Sequence, residues 1–253
     1  MNIPTLVLLD PALREFGGHH PGLITTLSKT SAMTENKFKL LVYANENCST
    51  DLIERLSISN SVTVHKHFKT DFYKHFYSKE KINTFNTYIQ TLVNEYYLVF
   101  KKHKTCVTTF YYHTLNWEHA YALALAINLF NNKYELRHKH IVCLMYSPCK
   151  SEVSDRKAFN VNNSQANNIV SNLDKDRLFK FSLGFRLLDK QKNVIFFATE
   201  FELTKHYENM LEQTIGWCPC GLISHSHLNE INNKFNDELK CKGESNINTE
   251  DQN

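Results

Sequence analysis

Residues 8–27 read LLDPALREFGGHHPGLITTL. An apolar run closes in Asp10-Pro11, a short polar stretch leads to Gly17-Gly18-His19-His20, and a helical pattern resumes at Pro21. Thr5–Leu9 (TLVLL) is short, continuous and apolar, which predicts a strand buried on both faces of a parallel sheet. Pro21 to Ser31 predicts a helix with Leu23, Ile24 and Leu27 on one side. A strand, a glycine turn and a helix make the first half of a βαβ unit.

The same alternation continues along the chain. Lys39–Tyr43 (KLLVY) predicts a second strand, Asp51–Leu56 a short helix and Val62–His65 a third strand. Residues 80–102 carry a long amphipathic helix, with Ile82, Phe85, Ile89, Leu92, Val93 and Tyr96 at helical spacing. Cys106–Phe110 (CVTTF) is a fourth strand, Leu115 to Phe130 an apolar helix, His140–Met145 a fifth strand, Val194–Ala198 (VIFFA) a sixth, and Thr199–Leu211 a further helix. Leu178–Leu188 fits another helix or an edge element, and 151–178 is a polar, Asn-rich excursion. The predicted fold is α/β, a single domain over residues 1–228 with a mainly parallel sheet and helices on both faces. Residues 229–253 form a polar tail, expected to be disordered.

Composition narrows the class. The chain has 253 residues, 42% hydrophobic and 22% charged, with a net charge of +3, so nothing in the charge calls for a nucleic-acid partner. Seven scattered cysteines, an odd number, fit a reducing cytoplasm better than a disulfide framework. The opening MNIPTLVLLDP lacks a basic region, and no apolar run reaches membrane-spanning length, so a soluble cytoplasmic protein is expected.

Ligands of open α/β sheets bind beyond the carboxyl ends of the strands. That rule selects Asp10 to His20 first. Gly17 and Gly18 permit close backbone approach of a ligand, and the helix that follows offers free N–H groups and the positive end of its dipole to phosphate or to sugar hydroxyls. His19 and His20 can bond a hydroxyl or act as a base near neutral pH; they also read as a helix cap and its solvated neighbour. Arg14 suits an anionic group or a surface ion pair. His113 follows strand four and would face the cleft. Glu118 opens the next helix, where it favours the dipole. Thr199 and Glu200 follow strand six, Thr199 doubling as a helix cap.

The stretch Asp10-Pro-Ala-Leu-Arg-Glu-Phe-Gly-Gly-His-His20, between a first strand and a first helix, resembles the start of the N-terminal, acceptor-side Rossmann-like domain of GT-B fold glycosyltransferases, of the family 4-like kind. The resemblance spans roughly residues 3–222 in element order and is specific at the Gly-Gly loop. VIFFATEFELTKHY at 194–207 is similar to a late strand, turn and helix of such domains, and WCPCGL at 217–222 to the strand leading into their second domain. It implies transfer of a sugar from a nucleotide-sugar donor to a hydroxyl acceptor, without a metal or other cofactor. His19 or His20 would then orient or deprotonate that hydroxyl, with Arg14, Gly17, Gly18, His113, Glu118, Thr199 and Glu200 as substrate-binding residues. Only 31 residues follow Leu222, whereas a donor-binding domain takes about 150. The chain is therefore expected to need a donor-binding partner subunit or C-terminal half. The alternative is a non-catalytic scaffold subunit, which would leave apolar residues such as Trp217 for a partner to cover.

Two further groupings stand out. Cys218, Cys220, His225 and His227 offer four soft ligands, though not at the usual zinc spacings. HKHFKTDFYKH at 65–75 is basic and aromatic, and reads as a solvated loop or an anion-binding surface.

Overall fold

Seven parallel strands lie in the order β3-β2-β1-β4-β5-β6-β7 in the computed structural model, which describes residues 4–16, 19–33, 38–58, 60–72, 82–145, 183–211 and 213–218. The strands are β1 (Thr5–Asp10), β2 (Lys39–Asn45), β3 (Val62–Phe68), β4 (Thr109–Tyr112), β5 (Lys139–Leu144), β6 (Val194–Ala198) and β7 (Gly216–Trp217). The helices are α1 (His19–Met33), α2 (Thr50–Ser57), α3 (Ile82–Lys102), α4 (Trp117–Lys133) and α5 (Phe201–Leu211), with a further helical stretch over 183–189. This is a Rossmann-like α/β domain. Among the described residues no helix is long and apolar enough to cross a membrane.

Side-chain parity divides the core in two. Leu6 and Leu8 of β1, Leu40 and Val42 of β2, Tyr111 of β4 and Ile141 of β5 face one side, where Leu23, Ile24 and Leu27 of α1 and Leu52 and Leu56 of α2 cover them. Val7, Leu9, Phe110, Tyr112, Val142 and Phe196 face the other side, under α3, α4, α5 and the 183–189 stretch. Both faces are covered, so the central strands are largely apolar on both sides rather than alternating.

Predicted and observed elements differ at several ends. β3 runs on to Phe68, so Lys66, His67 and Phe68, read as part of a solvated loop, belong to the strand. β4 begins at Thr109, not Cys106: Cys106 and Val107 are exposed, while Tyr111 and Tyr112, placed after the strand by sequence, are buried within it. The apolar look of CVTTF misled because pairing, not hydropathy, sets the register against β1 (Leu6 opposite Thr109). α1 begins at His19 rather than Pro21, so both histidines belong to its first turn. α5 begins at Phe201, where the carbonyl of Glu200 accepts the first helical N–H, so Thr199 is not its cap. The polar excursion at 151–178 and the tail at 229–253 lie outside the described residues.

Candidate functional site

The topology has one switch point, between β1 and β4. From β1 the chain builds outward through β2 and β3, then crosses back to lay β4 on the other side of β1. In open α/β sheets the loops that follow two such strands run in opposite directions, and ligands bind between them at the carboxyl edge. The register places Leu8 opposite Tyr111, so two residues further on Asp10 and His113 are level, each on the same face as the residue two before it. That face is the one α1 covers, and α1 starts with His19 and His20.

The four side chains meet. His20 Nδ1 donates to Asp10 Oδ2 at 2.8 Å, both groups being buried. The His19 and His20 rings stack with centroids 4.2 Å apart, and His113 meets them edge-on at 5.0 and 5.8 Å. Thr114 Oγ1 lies 3.3 Å from His19 Nε2 and 3.4 Å from His113 Nδ1. One ring nitrogen from each of the three histidines lies within 4.8 Å of the other two. His19 is exposed and marks the open side, whereas His20 and His113 are buried.

Local chemistry holds this arrangement. Asp10 Oδ1 accepts the Ala12 N–H at 3.2 Å, an Asx turn that bends the chain out of the strand. With one oxygen on the backbone, the other is aimed at His20. Asn45, fully buried at the end of β2, donates to the carbonyls of Pro11 (3.1 Å) and Thr70 (2.9 Å), and its Oδ1 accepts the Asn47 N–H (3.0 Å). It thus ties the loops after β1, β2 and β3 together. Asn116 caps α4 through the His119 N–H and donates to the carbonyl of Phe72.

The electrostatics favour neutral rings on His113 and His19. Burial pushes the His113 imidazole down to about 3, against the pull of Asp10, with His19 and His20 adding to the depression. His19 is lowered by burial first, then by His20, with Asp10 opposing. Because a carboxylate only accepts hydrogen bonds, the short contact to Asp10 fixes the proton of neutral His20 on Nδ1 and leaves the lone pair on Nε2. That Nε2 is buried and has no hydrogen-bond partner among the described residues.

Of the residues singled out by sequence, His19, His20 and His113 come together. Gly17 and Gly18 lie outside the described residues. Arg14 is in the β1–α1 loop and pairs with Asp71 at 3.3 Å, half-exposed. Glu118 sits in the first turn of α4, fully buried, on the opposite face of the sheet from α1 and close enough to raise the Tyr88 phenol, after burial itself. Thr199 and Glu200 follow β6, three strands from β1, or about 14 Å across the sheet. The Thr199 N–H donates to the carbonyl of Leu144, and Glu200 is exposed.

Asp10, Asn45 and Thr114 fall in the stretches that follow strands but were given no role from sequence. A buried carboxylate ending an apolar strand was the available signal for Asp10. Nothing local marks Asn45 or Thr114. His119 is a core histidine: its Nδ1 accepts from the Tyr96 hydroxyl at 2.7 Å, linking α4 to α3. Of the basic stretch at 65–75, His67 and Lys69 line an open groove of about 610 Å³ with Glu95, Lys101, Lys102 and Lys104, while His75 lies outside the described residues. Cys218 is buried, and Cys220, His225 and His227 are outside the described residues. No protein-family model and no curated protein matches this sequence, so the chemistry of the crevice itself has to carry the functional reading.

Proposed function

We propose that this chain is the acceptor-side half of a GT-B type glycosyltransferase and that His20, backed by Asp10, is its general base. The observation that carries the reading is the 2.8 Å Asp10–His20 bond at the switch point, with the buried His20 Nε2 left unbonded among the described residues. A positioned imidazole takes a proton from a hydroxyl, and a buried carboxylate on its other nitrogen holds the tautomer and stabilises the imidazolium that forms. The acceptor O–H proton passes to His20 Nε2. The freed oxygen lone pair forms the bond to the anomeric carbon, and the nucleoside diphosphate departs with the electrons of the bond it leaves.

His19, His113 and Thr114 supply further hydrogen-bonding groups around the acceptor. Nucleotide-sugar binding belongs to a second half or partner subunit. The test is sugar transfer from a panel of nucleotide sugars to glycans by the chain with its donor half. Loss of transfer in His20→Ala, with transfer kept in Thr199→Ala, supports the reading. Full activity in His20→Ala removes that histidine from the mechanism.

A second reading, a non-catalytic scaffold subunit, draws on a different observation. Phe201 and Trp217 are each about half exposed and meet edge-on at 6.3 Å beside the terminal strand β7. Aromatic pairs left at a sheet edge suit a partner surface. A partner lost on Trp217→Ala, in a complex whose activity ignores His20→Ala, would favour this reading over the first.

A further inference from the structure

We propose that His19, His20 and His113 bind one divalent late transition-metal ion of the zinc class, with Asp10 orienting His20 through the hydrogen bond from its Nδ1. Three imidazoles, two from the first turn of α1 and one from the loop after β4, offer one nitrogen each within 4.8 Å of the others. Tetrahedral zinc with Zn–N of about 2.1 Å needs nitrogens about 3.4 Å apart. The longest separation therefore has to shrink by about 1.4 Å. His19, exposed on the solvent side, can turn toward the other two by rotation about its own torsions, giving up its 3.3 Å contact to Thr114.

Two independent features point to an ion. His20 Nε2 is buried and carries no hydrogen bond among the described residues, and an orphaned buried ring nitrogen is costly unless something ligates it. The other nitrogen of the same ring donates to a carboxylate at 2.8 Å, the arrangement that orients metal-bound histidines and raises their basicity. The donor set also selects the ion. Imidazole nitrogens, joined in this cluster by no thiolate and no directly facing carboxylate oxygen among the described residues, suit zinc, copper, nickel or cobalt, not magnesium or calcium. His19 lies on the solvent side, so the fourth coordination position is open to water or a ligand oxygen.

The ion would use the lone pair on His20 that deprotonates the acceptor. Where the base role assigned above holds, metal occupancy and base catalysis exclude each other, and the ion acts as an inhibitor. Metal binding itself does not depend on that reading and is measured without any enzymatic assay.

The test is calorimetric titration of the metal-free full chain with zinc chloride, paired with the visible spectrum of the cobalt(II) form. The expected result is one ion per chain at micromolar affinity or better, a raised melting temperature, and a tetrahedral cobalt spectrum without thiolate charge transfer. His19→Ala, at an exposed position that folding does not require, should weaken binding at least tenfold, and Asp10→Asn by about 10–100-fold. Cys218→Ser should leave it unchanged. Three results would overturn the proposal: no binding at micromolar zinc, binding indifferent to His19→Ala, or a thiolate band lost with Cys218→Ser.

Discussion

His20 Nδ1 sits 2.8 Å from Asp10 Oδ2, two buried side chains joined across the turn from the first strand to the first helix. The bond fixes which nitrogen of neutral His20 carries the lone pair. An amide in place of the carboxylate would donate where Asp10 accepts, and the ring would move its proton to Nε2. Asp10→Asn should therefore lower kcat for sugar transfer by about 10²–10⁴-fold with acceptor affinity little changed. His20→Gln should cost a similar factor, and the double variant no more than the worse single one. Steady-state kinetics of the three variants check this, and additive losses would separate the two residues' roles.

Zinc offers a second handle on the same lone pair. Transfer should fall in proportion to metal occupancy and return on chelation. Activity that rises with zinc would mean the ion serves the reaction rather than blocking the base.

Acid should unfold the domain early. Burial lowers His113 and His119 to about 3, His138 to about 4, and His140 well below its usual value. Each is neutral in the folded chain but takes a proton on unfolding once pH falls below its usual 6.5. Their stabilisation is present above 6.5 and is lost as pH drops toward the folded values, by about 1.4 kcal/mol per pH unit for each histidine. Glu95, raised by burial, works in the opposite sense just above 4.5 and offsets part of this slope. Urea unfolding at about pH 7.5 and about pH 5.5 measures the slope, and His140→Gln should reduce it by one proton.

Tyr96→Phe should cost about 1–3 kcal/mol, because His119 Nδ1, fully buried, would lose its 2.7 Å donor while nearly all the packing is kept. Urea denaturation of the variant is the measurement. A change below about 0.5 kcal/mol would show that the bond between α3 and α4 contributes little.

Gly184→Ala should destabilise by about 1–3 kcal/mol. A Cβ at this position would stand 2.7 Å from the backbone nitrogen and 2.8 Å from the Cα of Tyr121 in α4. Backbone cannot rotate aside as a side chain can, so the 183–189 stretch must move off α4. A thermal melt of the variant reads this directly, and an unchanged melting temperature would mean the two segments can separate without loss.

The strands were legible where apolar runs are continuous. Val194–Ala198 matches β6 residue for residue, and TLVLL and KLLVY lie within β1 and β2, because a strand covered on both faces needs apolar side chains at every position. The switch from period 2 to period 3.6 placed α2 and α3 for the same local reason. Hydropathy could not place β4, whose buried tyrosines carry polar hydroxyls and whose limits follow from pairing with β1 and β5.

By itself the sequence determined that a strand, a turn and a helix place His19 and His20 at the carboxyl edge of the sheet. It did not bring Asp10 or His113 to them. That depended on β4 lying beside β1 and on Leu8 facing Tyr111, since the pleat then turns Asp10 and His113 toward the start of α1. Strand order and register are long-range choices made by how whole faces pack, and no local pattern around residue 113 records which strand it will meet.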